Sequence, residues 1–429
     1  KSRTNFNNVE LLSLNAIFNP TDKIKVKTLG FFNLDETDFF RNSTDVFKTN
    51  NLNFTNTEDF TLRNKNKIGF GKLDFTYNIS KTAMLESLTK YNDAFYTANA
   101  DLNFNGSATL ERLEMDNTLF DQKINYTNKF KNKKVFLLTG RFINEETPQK
   151  YAVNQFFYED LFPNTNANNV AQQSTHKMTF AGINAHLLDR KENGNLLELQ
   201  LGNEFRKDNL NTVFSLLENE NILETPNDYQ NKTTYLTNNS YLKTKYRYKI
   251  NDFAVVGKLD FHQLYNRLET ELEIKEETPF FINPSIGLDW KINTKNKIMS
   301  SYSYNFRNAG ILDVYDNFVL TGFRSFNKGT GNFNQLNSSN FIFNYQLGNW
   351  SERFFANTFL IYNKNHDFFS TNSIIQQNYS QSEKILIQNR EFLSINTNLD
   401  YYFNFISSNL KIDVSYSKNN FKNQLLYYN

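Results

Sequence analysis

The chain has 429 residues, and its near balance of 47 basic against 45 acidic side chains excludes the large basic surface that a nucleic-acid partner needs. Its 39% hydrophobic content contains no run of about eighteen apolar residues, which excludes a membrane-spanning helix, while 43 Phe and 23 Tyr are too much aromatic surface for a disordered chain. With no Cys and four scattered His, disulfides, iron–sulfur clusters and thiolate zinc sites are excluded, and neither a metal nor a cofactor is expected.

Asparagine is the other compositional outlier, with 69 residues. It suits turns and wet faces, because it tolerates left-handed backbone geometry and hydrogen-bonds locally. The opening Lys1-Ser2-Arg3-Thr4-Asn5 leads into no apolar secretory segment.

Taken in chain order, a first strand over 9–18 is closed by the turn Asn19-Pro20-Thr21-Asp22. Further short polar turns follow at Asn78-Ile79-Ser80-Lys81, Lys131-Asn132-Lys133, Lys191-Glu192-Asn193-Gly194-Asn195, Asn251-Asp252, Asn293-Thr294-Lys295-Asn296, Gly348-Asn349-Trp350-Ser351 and 404–409. They recur about every 55 residues, a hairpin rhythm without the copied motif of a solenoid or propeller. Between them, period-two alternation dominates. Leu242, Tyr246, Tyr248 and Ile250 oppose Lys243, Lys245, Arg247 and Lys249, and Ile286, Leu288, Trp290 and Ile292 oppose Gly287, Asp289 and Lys291. The same split appears in Ile298, Tyr302, Tyr304 and Phe306, in Leu393, Ile395, Leu399, Tyr401 and Phe403, and in Leu410, Ile412, Val414 and Tyr416. Long connections are expected on the other side, near 36–66, 144–176, 207–232 and 308–338.

Short turns at one end, long loops at the other and alternating strands between them predict a transmembrane antiparallel β-barrel, all-β, with short periplasmic turns and long extracellular loops. A soluble antiparallel sandwich shows the same alternation. Uniform composition without a linker favours the barrel, as do the Tyr and Phe crowding strand ends such as 302–306 and 401–403, which suit interfacial girdles. Eight turns imply about sixteen strands. With tight turns on the periplasmic side both chain ends fall outside, so strands are expected before Lys1 and after Asn429, and the terminal Leu425-Leu426-Tyr427-Tyr428-Asn429 does not read as a closing strand.

The run Leu12-Ser13-Leu14-Asn15-Ala16-Ile17-Phe18-Asn19-Pro20-Thr21-Asp22-Lys23-Ile24-Lys25-Val26-Lys27, continuing to Gly30-Phe31-Phe32-Asn33, resembles an early hairpin of TonB-dependent outer-membrane receptor barrels. Tyr302-Ser303-Tyr304-Asn305-Phe306-Arg307-Asn308, leading to Leu312-Asp313-Val314-Tyr315, is similar to a later strand of those barrels that ends in Arg before an Asp-hydrophobe-Tyr element in a surface loop. The resemblance implies about 22 strands around an N-terminal plug. It also implies an outer-membrane location, contact with outer-membrane lipid, an inner-membrane energy-coupling partner and uptake of a ligand held by outer loops and plug. The chain carries neither a plug nor a coupling box, so residues 1–429 are expected to be the barrel alone.

Catalysis has little foothold: His176, His186, His262 and His366 lie in separate hairpins with no hydrolase or phosphate-binding motif beside them, and no enzyme is expected. The lumen lining is expected to include Lys243, Lys245, Arg247, Lys249, Lys258, Asp260, His262, Asp289, Lys291 and Arg307. These form either a stripe that draws anionic solutes or a solvated wall paired across strands. Phe39, Phe40, Phe156, Phe157, Tyr158, Phe162, Phe368 and Phe369 are expected in loops, gripping a ligand or packing against each other or a partner. Two other readings remain: a non-transporting barrel subunit that scaffolds an outer-membrane assembly by docking a surface lipoprotein, and a passive porin.

Overall fold

The computed structural model describes residues 2–48, 53–348, 352–421 and 424–426. Sixteen strands form the wall: β1 (Ser2–Thr21), β2 (Ile24–Lys48), β3 (Asn53–Asn78), β4 (Ala83–Phe104), β5 (Ser107–Lys129), β6 (Lys134–Val153), β7 (Asn169–Arg190), β8 (Leu196–Glu218), β9 (Gln230–Ile250), β10 (Phe253–Glu269), β11 (Phe280–Lys291), β12 (Asn296–Asn308), β13 (Gln335–Leu347), β14 (Phe354–Ile375), β15 (Ser380–Phe403) and β16 (Ser408–Asn420). Each pairs antiparallel with the next, as in Leu14 opposite Gly30 (β1–β2) and Lys243 opposite Asp260 (β9–β10). The sheet is therefore one uninterrupted meander.

The side chains turn this sheet inside out relative to a soluble domain. On β7, β8 and β11 the outward residues Ile183, Leu201 and Ile286 are 57%, 64% and 53% exposed, whereas the inward Asp208 is 2% exposed. Such an apolar outer surface is stable only against hydrocarbon. Buried apolar residues do not run along the sheet as the dry centre of a sandwich would require. Most of those described gather in two clusters at the end opposite the short turns, around Tyr158, Phe214 and Phe326 and around Val314, Tyr235 and Leu268.

The short turns fall where the sequence places them, for example at Asp22–Lys23, 79–82 and Asn251–Asp252, although 349–351 of the seventh turn and 427–429 of the terminal segment lie outside the described residues. The other end differs from expectation. Residues 36–48 and 53–66 are not loop but the upper halves of β2 and β3, and among the described residues the longest connections at that end are 154–168, 219–229 and 309–334. A 26-residue strand such as β3 at about 3.3 Å per residue and about 45° tilt rises roughly 60 Å, more than twice an apolar band of about 25 Å. The long connections are thus mostly hairpins standing clear of the membrane, still paired because extended backbone groups keep their partners on the ladder. Phe39 and Phe40 on β2 and Phe368 and Phe369 on β14 are consequently strand residues.

The wall is uneven. β11, β12 and β13 have only 12, 13 and 13 residues, little more than one bilayer crossing. Over this low rim residues 309–334 fold inward. Phe306, read as an interfacial ring, also points inside: the β11–β12 register ends at Ser285 opposite Ser303, and beyond it the Phe306 N–H donates to Asn283 Oδ1 while its ring stacks 4.1 Å from Phe281.

Candidate functional site: the closed mouth and the lumen

Residues 309–334 leave β12 through a one-turn helix, α1 (Ile311–Val314), whose Asp313 carboxylate accepts the Gly310 N–H at 3.0 Å. The segment then crosses to the tall side of the wall, where amide side chains take the place of a neighbouring strand. Gln172 on β7 accepts the Leu320 N–H at 2.7 Å and donates to the Leu320 carbonyl at 2.8 Å. Asn231 on β9 does the same for Asn317, at 3.0 and 3.2 Å. An unpaired buried peptide group costs about 1–3 kcal/mol, so each amide removes two such costs. Farther on, Ser325–Lys328 pairs in parallel with the start of β15, Ser325 opposite Ser380. Lys384 on β15 binds Asp313 at 2.6 Å.

Apolar packing completes the closure. Tyr158, fully buried, packs edge-to-face 5.0 Å from Phe326 and donates its hydroxyl to the Phe323 carbonyl, and burial raises its pKa. Tyr229 meets the same Phe326 at 5.0 Å and accepts from Gln381 at 2.8 Å. On the other cluster, burial pushes Tyr315 up to about 12, so it stays a neutral hydroxyl. The two limbs of the segment touch at Gly329, where any Cβ would collide with the Tyr315 carbonyl oxygen. Phe156, Phe157, Tyr158 and Phe162 from 154–168 belong to this packed seal rather than to an exposed surface. Phe39 meets Phe60 at 6.2 Å on the neighbouring strand, and Phe40 is half-buried on β2.

Below the seal the lumen wall is charged and largely self-paired. Lys245 binds Glu198 at 2.8 Å, Arg247 lies 3.6 Å from Asp289, and Lys243 stands 4.4 Å over the Tyr241 ring. Asp260 faces Lys243 across the ladder, whereas Lys258 faces Lys245, a like-charge pair on adjacent strands. His262 bonds Asn239 at 3.0 Å and stacks 5.0 Å from Phe281. Lys249 and Lys291 are exposed at the turn end, and Arg307 is exposed near the seal. Tyr241 fits across the wall because Gly202 opposite has no Cβ, which would lie 2.6 Å from the ring. Its hydroxyl reaches Glu204 at 3.3 Å. A cavity of about 950 Å³ occupies the turn end of the lumen, lined by Asp289, Ser301, Asn344, Asn357, Asp400 and Lys411 among others. Among the described residues no three His, Cys, Asp or Glu side chains converge as a metal site.

No family model matches this sequence, and no curated protein matches it by sequence. Solved structures do match it. The outer membrane transporter YddB from Escherichia coli superposes with a TM-score of 0.52 at 12% identity, over 96% of this chain and 54% of its own. The unliganded ferric citrate transporter FecA gives 0.53 at 11% identity, over 96% and 59%. The siderophore receptor PiuA from Acinetobacter baumannii gives 0.53 at 9% identity, over 97% and 64%. The chain has the fold of an outer-membrane receptor barrel. These neighbours are TonB-dependent receptors, the family that the sequence patterns around 12–33 and 302–315 resemble, and the chain spans between half and two thirds of their length. At this identity the likeness is one of fold.

Proposed function

We propose that this chain is the barrel portion of a TonB-dependent-type receptor in the outer membrane, taking up a solute that enters past the segment 309–334. The observation that carries the reading is a polar lumen beneath a mouth shut by a latched extracellular segment, within a fold shared with transport receptors. A segment latched across the mouth favours gated entry over a permanently open pore. Scaffolding gains little, because the aromatic residues of 154–168 that it would present to a lipoprotein are packed into the seal. An N-terminal plug and an inner-membrane energy-coupling protein are the partners this reading assigns to the full protein.

The test is to profile solutes removed from the medium by cells with and without the gene. Uptake of this type requires at least one solute whose depletion depends on the gene and stops when the proton gradient is collapsed. Depletion that survives collapse of the gradient supports a passive pore, and identical profiles support a scaffold.

A further inference from the structure

The described arginines of the wall are mostly paired with carboxylates: Arg63 with Asp38 at 3.1 Å, Arg141 with Asp121 at 2.9 Å, Arg206 with Asp208 at 2.6 Å and Arg247 with Asp289 at 3.6 Å. Arg307 and Arg390 have no carboxylate within ion-pair distance, and both line one cavity of about 410 Å³ at the seal end of the lumen. Arg390 lies over the Phe368 ring, 5.8 Å from its centre, and its Nε reaches Asn419 at 3.4 Å, which leaves the fork of terminal N–H groups uncommitted. The same cavity is walled by Phe368 and Phe369 and carries a distinct acceptor region. There Asn337 donates its Nδ2 to Asp367 at 3.1 Å, which fixes the orientation of the amide, and leaves its Oδ1 buried without a partner.

Two unneutralised guanidinium groups favour a planar anion that can accept paired hydrogen bonds. An orphan amide oxygen beside a carboxylate favours an N–H donor. Two Phe rings favour an apolar group. We propose that this cavity binds an amino-acid-like carboxylate: the carboxylate toward Arg307 and Arg390, a neighbouring N–H toward Asn337 and Asp367, and an apolar side chain on Phe368 and Phe369. The inference rests on the receptor reading and names the solute chemistry of its lumen. Phe369 also packs against the cluster that seats 309–334, and Lys384, which holds Asp313 of that segment, lies 5.8 Å from its ring. A ligand in the cavity therefore touches the seat of the seal.

The probe is N-acetylphenylalanine, with its carboxamide as the uncharged isostere, titrated calorimetrically into the full receptor in detergent. The carboxylate is expected to bind at least tenfold more tightly than the carboxamide, and Arg307→Gln and Arg390→Gln are each expected to remove most of that preference. Equal binding of the two probes, unchanged preference in both variants, or displacement by equimolar inorganic phosphate overturns the proposal. Retained heat-dependent gel mobility in the variants separates loss of the site from loss of the barrel, and the depletion experiment above tests the receptor reading independently.

Discussion

At the scale of single residues, closure depends on side chains that imitate backbone. Gln172 supplies both a donor and an acceptor to Leu320 at a 3% exposed site, so Gln172→Ala strands two peptide groups away from water. A loss of at least about 2 kcal/mol of local stability is expected, read as a roughly thirty-fold or greater acceleration of hydrogen exchange at the Leu320 amide. Gln173→Ala, one residue along on the opposite face and exposed, is expected to leave that rate unchanged. Equal rates in wild type and Gln172→Ala contradict the latch. This role had no sequence signature: Gln172 and Asn231 are amides in a chain with 69 Asn, and neither lies near Leu320 or Asn317 in sequence. Arg307 was expected as a lining residue because it ends an alternating strand, but its lack of a partner depends on how the strands pair.

At the scale of elements, the hairpins were legible wherever one face meets lipid and the other water, because that contrast writes itself as period two. Above the bilayer both faces meet water or protein and the contrast fades, which is why 36–48 and 53–66 read as loop although they remain strand. The strongest two-residue hairpin signal, Asn105-Gly106 with φ of 51° and 90°, sits at the outer end between β4 and β5, where no turn was expected. The lipid face makes a sharp prediction on β11 and β12. Ile286 faces out about midway up the wall, while Ser301 opposite Gly287 faces the turn-end cavity. Ile286→Lys is expected to cost about 2–4 kcal/mol in urea unfolding from lipid vesicles, and Ser301→Lys close to nothing, since only the first must leave a cation in hydrocarbon. Comparable losses at both positions contradict the assignment of faces.

At the scale of the whole molecule, the sixteen-strand meander and its short-turn end were readable from turn spacing, whereas the closed mouth was not, since it forms from 154–168, 309–334 and the tops of β4, β6, β7, β8, β9 and β15 meeting across long sequence separations. The uneven rim explains why that segment folds inward: short β11 to β13 let it over the wall, and tall β7 to β9 present the amides that receive it. Everything functional follows from which face of the sheet meets lipid. Because the chain has no Cys, a single introduced thiol can be spin-labelled unambiguously. Labels at Ile286→Cys and Ser301→Cys in reconstituted vesicles, with relaxation by oxygen compared against relaxation by a water-soluble nickel chelate, test this most directly. The account requires Ile286 to be oxygen-accessible and shielded from nickel, with the opposite balance at Ser301; a label at Ile286 relaxed chiefly by the nickel chelate contradicts it.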